Sequence, residues 1–154
     1  MSTKITTIRD TFKTLVAAAL GSSYTQVPNP YSPELNNQIM LAQGWGIAVG
    51  PAQKVDLELC EMGYERNFNV ILVRLNTAPI HDIVTKEAIE LALLEDFQTI
   101  RKSVERDNNT LSGNAIKTDY IADSGIEFLQ DIESQQKFFS INITFSVLYQ
   151  ESIA

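Results

Sequence analysis

Ile5, Ile8, Phe12, Leu15, Val16 and Ala19 recur at spacings of three and four, while Arg9, Asp10 and Lys13 fall off that stripe. The spacing sets the apolar residues on one face and predicts a helix over residues 4 to 20. Threonines ahead of the stripe suit the free N–H groups of a first turn, and Gly21 stands where a left-handed C-terminal residue is wanted. A second register joins Ile89, Leu93, Phe97, Ile100 and Val104 and predicts a helix over 82 to 107. Asp82 or Thr85 would cap it, with Glu87 and Glu90 near its positive end and Arg101, Lys102 and Arg106 near its negative end.

Elsewhere the period is two. Phe139, Ile141, Ile143, Phe145, Val147 and Tyr149 alternate with Ser140, Asn142, Thr144 and Ser146, which predicts a long strand with one dry and one wet face. Over 64 to 75, Tyr64, Phe68, Val70 and Leu72 share one face and Ile71, Val73 and Leu75 the other. A strand apolar on both sides wants cover on both sides. Short strands are expected at 46 to 50 and 55 to 62, joined by a turn near Ala52 to Lys54, and another through Ile116, Thr118, Tyr120 and Ala122. Turns are expected at Ser112-Gly113-Asn114 and Asp123-Ser124-Gly125, and the pattern from 126 to 133 is ambiguous.

Residues 21 to 45 carry Ser22, Ser23, Pro28, Asn29, Pro30, Pro33, Asn36, Asn37 and Gly44, a density of turn formers that predicts a long loop. Loops beyond about 12–15 residues in compact domains are usually functional or disordered, so this one is a candidate contact surface, with a meandering coil as the plain alternative.

The element order is therefore α-β-β-β-α-β-β. It predicts an α+β domain spanning 1–154, with a largely antiparallel four- to five-stranded sheet and two helices packed on one face. The second face of the 64 to 75 strand needs either the long loop or another copy of the chain. The loop offers little apolar area beyond Tyr24, Val27, Tyr31 and Leu35, which favours the copy.

Composition narrows the chemistry. A chain of 154 residues can build one core without disulfides or metals, and its single cysteine, Cys60, cannot form an internal disulfide. One Cys with one His cannot supply the four ligands of a structural zinc. Residues 1 to 10 show no apolar signal-peptide core and no stretch approaches the ~20 apolar residues of a membrane span, so an intracellular origin is expected. The formal charge of -7, with 12 Lys plus Arg scattered among 19 Asp plus Glu, disfavours binding to phosphate backbones.

Catalytic patterns fail on context. His81 beside Asp82 lacks a nucleophile and sits at a helix entrance, where a solvated histidine is the plain reading. Cys60, among Leu59, Glu61 and Met62, has no adjacent cation to lower its pKa. Gly44-Trp45-Gly46 and Gly50 surround a strand and Pro51 rather than opening a helix, so they do not make a phosphate loop. Glu58, Glu61 and Glu65, and Glu127, Asp131 and Glu133, are spaced as solvated edges and turns with no histidine among them. Asn108-Asn109-Thr110 and Asn142-Ile143-Thr144 match the glycosylation sequon by chance in a chain without a signal peptide. No catalytic residue, metal or cofactor is expected. Tyr24, Tyr31 and Trp45 could anchor a protein partner, with a core role the plain reading for Trp45.

Thr6-Thr7-Ile8-Arg9-Asp10-Thr11-Phe12, Gly46-Ile47-Ala48-Val49-Gly50-Pro51, and Leu111-Ser112-Gly113-Asn114-Ala115-Ile116 leading to Asp123-Ser124-Gly125-Ile126-Glu127-Phe128-Leu129 resemble stretches of the tail terminator (tail completion) proteins of long-tailed bacteriophages. Length and element order are similar as well. The resemblance implies a non-enzymatic virion subunit of the neck region, made in the host cytoplasm. It would assemble into a ring, usually a hexamer, that caps the head-proximal end of the tail tube. The ring would stop tube polymerisation and dock the head, so the implied partners are the chain itself, the tail tube protein and the head–tail connector protein. DNA would pass through without specific binding, eased by an acidic lumen. Tyr31, Trp45, Phe68, Val70 and Leu72 are the candidate subunit or partner contacts. A head–tail joining protein of the neck, or a monomeric protein-binding adaptor using the long loop or a free sheet edge, are the alternatives.

Overall fold

The computed structural model describes residues 4–26, 43–56, 62–76, 82–130 and 137–150. Helix α1 spans Lys4–Leu20 and buries Ile8, Phe12, Val16 and Leu20, the stripe that the spacing marks out. Gly21, at φ 71°, ends it in the left-handed region, and a short 3-10 turn at Gly21–Ser23 leads to the two-residue strand β1, Thr25–Gln26. Strands β2, Gln43–Asp56, and β3, Met62–Leu75, pair antiparallel. Helix α2 spans Ile83–Arg101. Its N-cap is Asp82, which accepts from the Thr85 backbone N–H at 3.0 Å and the Thr85 hydroxyl at 2.6 Å. The chain continues as a π turn over Lys102–Asp107, then β4, Lys117–Asp123, β5, Glu127–Gln130, and β6, Lys137–Gln150.

The fold is α+β, and among the described residues the sheet is mostly antiparallel with six strands, against an expectation of four to five. Its order is β1-β2-β3-β6-β4, with β5 also pairing β6. β6 thus inserts between β3 and β4, and among the described residues only β1 on β2 is parallel. Both helices cover one face. In register across β3 and β6 on that face stand Phe68 opposite Phe145, Val70 opposite Ile143 and Leu72 opposite Ile141. Phe12 stacks on Phe68 at 5.7 Å and meets Phe145 edge-on at 5.3 Å. Leu93, Phe97, Ile100 and Val104 close the same core from the second helix and its π turn.

Three expectations need correction. The turn expected near Ala52 to Lys54 is strand instead, since β2 runs unbroken from Gln43 through Asp56, takes Trp45 out of the loop and joins the 46–50 strand to the start of the 55–62 one, whose residues 57–61 lie outside the described residues. Gly50 and Pro51 are absorbed where the register shifts between Val49 and Ala52. A bulge on a strand near the sheet edge tolerates a proline that a central ladder position would not. Glycine suits the close approach there, because a Cβ on Gly50 would lie 3.0 Å from the Asn67 carbonyl oxygen and press the neighbouring strand.

The second correction concerns the helix-free face. At one end of that face Ile71, Val73 and Phe138 are 8%, 1% and 1% exposed, with Leu75 packed against them, all within a single chain. Burial of this patch therefore does not require a second copy. The third concerns β6, whose expected wet face is half dry: Ser140 and Ser146 are buried, while Asn142 and Thr144 are only half-buried.

Candidate functional site

The side chains expected at a contact divide by position. Trp45, Phe68, Val70 and Leu72 are buried in this chain's own core under its own helices. Tyr31 lies outside the described residues, as do His81, Cys60, Glu58, Glu61, Asp131, Glu133 and most of the long loop. Tyr24 is buried, and Glu65 accepts a hydrogen bond from the Ser146 hydroxyl at 2.8 Å.

Tyr24 belongs to a polar network that ties three elements together. Its hydroxyl donates to the Asp96 carboxylate on α2. From β3, the Arg74 guanidinium donates through Nε to the Tyr24 oxygen at 2.8 Å and through Nη2 to Asp96 at 2.8 Å. Burial, then the bond to Asp96, pushes the Tyr24 phenol well above its ordinary range, so the side chain holds its proton. The arrangement fixes the end of the α1 connection against the sheet. It presents no unpaired nucleophile or base.

A second network sits further along α2, at its C-terminal end. The Arg101 guanidinium lies 4.2 Å over the Tyr120 ring and bonds Glu105 at 3.3 Å, while Glu105 accepts from the Tyr120 backbone N–H at 2.6 Å. These contacts dock the C-terminal end of α2 on β4. On the helix-free face, Pro51, Ala52, Gln53, Glu65, Asn67, Ile121 and Ser146 line an open groove of about 490 Å³. Its polar side chains partly satisfy one another, as in the Ser146–Glu65 bond, and it holds one carboxylate. Among the described residues no group of three or more His, Cys, Asp or Glu is placed to hold a metal ion. No described helix is long and apolar enough to cross a membrane.

The conspicuous surface is apolar. Ile83, Val84, Leu91 and Leu94 of α2 are exposed by 67%, 78%, 60% and 39%, and Phe128 of β5 by 70%. At about 100° per residue, the four α2 side chains share an arc of about 100°, some 120–160° round the helix from Asp96. Asp96 faces Tyr24 at the end of α1, and Arg101 faces β4, so the apolar arc lies on the flank turned away from α1 and toward the β4–β5 edge. Phe128 extends that flank onto the sheet. It pairs with core residue Phe139 across β5 and β6, their rings 4.9 Å apart, on the helix-covered face. Exposed Glu87 and Gln98 fall within the same arc, and exposed Glu95 lies at its edge.

No family model matches the chain, and no curated protein does either. Among solved structures, a chain from the virion of a native gene transfer agent (GTA) particle superposes with a TM-score of 0.45 at 12% identity, over 93% of this chain and 91% of that one. So slight a likeness leaves function to be argued from the residues.

The α2 flank was within reach of pattern reading. Val84, Leu91 and Leu94 fall off the Leu93–Phe97–Ile100 stripe, and a helix apolar on two sides is a signal in its own right. Phe128 carried no such signal, because its exposure depends on standing at a sheet edge.

Proposed function

We propose that this chain is a structural subunit of a phage-type virion, and that it forms a ring capping the head-proximal end of the tail tube. In that role it ends tube polymerisation and offers the surface on which the head docks. The observation that carries the reading is the uncovered apolar flank of α2 and Phe128. Five large apolar side chains stand in solvent on one side of an otherwise acidic chain, which is the mark of a surface meant for another protein. The stretches that resemble tail terminator proteins fit this reading in their placement. Gly46 to Pro51 ends in the β2 bulge, Leu111 to Ile116 makes the turn into β4, and Asp123 to Leu129 carries β4 into β5. The remaining stretch, Thr6 to Phe12, lies in α1.

Termination is then steric. One ring face copies the contact that a tube subunit makes, and the other offers no site for the next subunit. Contacts that close on themselves give finite assemblies, whereas open ones give filaments. Sedimentation and negative-stain imaging of the purified chain, alone and with tail tube subunits, test the proposal. Rings, and tubes of arrested length carrying a terminal ring, are expected. Monomer alone from micromolar to millimolar concentration, with tube subunits present, would overturn it.

A further inference from the structure

A ring built from heterologous contacts needs two different surfaces on each subunit, and α1 has a flank that its own chain leaves open. Thr11 faces the turn that follows α2, where Asn114 Nδ2 donates to its hydroxyl at 3.5 Å. Arg9 and Lys13 lie about 160° round the helix from Thr11 and so occupy the flank of α1 turned away from α2. Beneath that flank, on β2, Val49 is 41% exposed, although its cross-strand partner Phe68 stacks on Phe12 in the core. Exposed Ala17 adds no bulk on the outer side of the same helix.

The two flanks stand at opposite edges of the molecule, because β2 and β4 lie on opposite sides of β3 and β6. Their charges are opposite too. The α1 flank carries Arg9 and Lys13, while the α2 flank carries Glu87 and Glu95 and the one arginine beside it, Arg101, is paired with Glu105. A contact of the α2 flank with its own copy would press like charges together, which disfavours a two-fold dimer.

Resting on the ring reading above, we infer that the occupant of the α2–Phe128 flank is the α1 flank of a second copy of this chain. The contact is heterologous: Leu91, Leu94 and Phe128 of one subunit cover Val49 and the α1 surface of the next, with Glu87 and Glu95 facing Arg9 and Lys13. Repeated around an axis, it joins the helix layers into a continuous band.

Two charge-reversed variants test this, Arg9→Glu with Lys13→Glu, and Glu87→Lys with Glu95→Lys, each checked for an unchanged melting profile and examined by sedimentation velocity beside the wild type. Each variant alone is expected to assemble at least tenfold more weakly than the wild type. In one, both flanks are acidic, and in the other, both are basic. Mixed in equal amounts they should therefore assemble with each other, in alternation, into an even-numbered ring. A wild type that assembles while both variants assemble as well as it does would overturn this contact and leave the ring reading standing. Variants that fail alone and fail mixed would also overturn the pairing. A wild type that remains monomeric with tube subunits present would overturn both readings.

Discussion

Helices α1 and α2 pack against each other on one face of the sheet and are nearly equal in length, 17 and 19 residues, yet they treat their outer surfaces differently. Facing solvent, α1 shows Asp10, Thr14, Ala17 and Ala18, so its large apolar side chains are accounted for by the core of its own chain. On α2 the inner stripe of Leu93, Phe97 and Ile100 is matched by an outer one of Ile83, Val84, Leu91 and Leu94. Folding of a single chain explains the first stripe and leaves the second unexplained. On the proposed reading the difference separates residues that stabilise the fold from residues that meet a partner, and substitutions on the two surfaces should separate in the same way.

The largest effect belongs to the shared core. Phe12 is fully buried and touches the rings of both Phe68 and Phe145, so Phe12→Ala is expected to cost about 3–5 kcal/mol, read from the urea midpoint at unchanged slope. A loss under about 1 kcal/mol would mean that α1 is not held as described.

Within α2 the contrast is sharper, because two leucines two positions apart face opposite ways. Leu93 is 0% exposed and Leu91 is 60% exposed. In dilute solution Leu93→Ala should cost about 2–5 kcal/mol, and Leu91→Ala should stay within about 0.5 kcal/mol. Self-association should reverse the ranking, falling with Leu91→Ala while the folded fraction holds. Equal stability losses at the two sites would erase the distinction between the stripes.

What could be read from the chain beforehand follows the range of the interactions concerned. The stripe of α1, the cap at Asp82 and the alternation of β6 are local patterns, and the helices and the long strand follow from them. The continuity of β2 is not local. Gly50-Pro51 reads as a chain break until β3 is seen pairing on either side of it. The insertion of β6 between β3 and β4 likewise depends on partners tens of residues away. The face of β3 carrying Ile71 and Val73 was legible as needing cover, but not that the single chain supplies it. Among contact residues, high apolarity pointed to Trp45, Phe68, Val70 and Leu72, which the chain buries for itself. The exposed Leu91 and Leu94 are told from core leucines only by their place off the Leu93–Phe97–Ile100 stripe, since leucine is also a common way to build a helix core.

The polar contacts of α2 extend the comparison at lower energy. Arg74, whose side chain is 21% exposed, links β3 to both Asp96 and Tyr24, whereas Arg101, 39% exposed, pairs with Glu105 one turn along its own helix segment. Arg74→Met should cost about 1–2 kcal/mol, since it leaves Asp96 without its cation, and Arg101→Met about 0.5 kcal/mol or less in thermal unfolding. Comparable losses would show that the first network holds no more tightly than a surface pair.

The smallest effect is a change of slope at alkaline pH. Burial and the bond to Asp96 raise the Tyr24 pKa in the folded chain, while an unfolded tyrosine titrates near about 10. Above that value the unfolded chain releases the proton and the folded chain retains it. The folded chain then binds more protons, so stability is fully present below about pH 10 and declines as pH rises further. Tyr120 adds to the decline with the same sign, because its hydrogen bond to Asp123, and then burial, raise its pKa as well. Tyr24→Phe should therefore lower the melting temperature modestly at pH 7, for the loss of the hydroxyl's bonds to Asp96 and Arg74, and also flatten the decline between pH 10 and 11.5. Tyr120→Phe should remove a further part of it. A Tyr24→Phe chain with the wild-type slope would mean that the phenol is solvated in solution, and that Arg74 and Asp96 hold β3 to α2 without it.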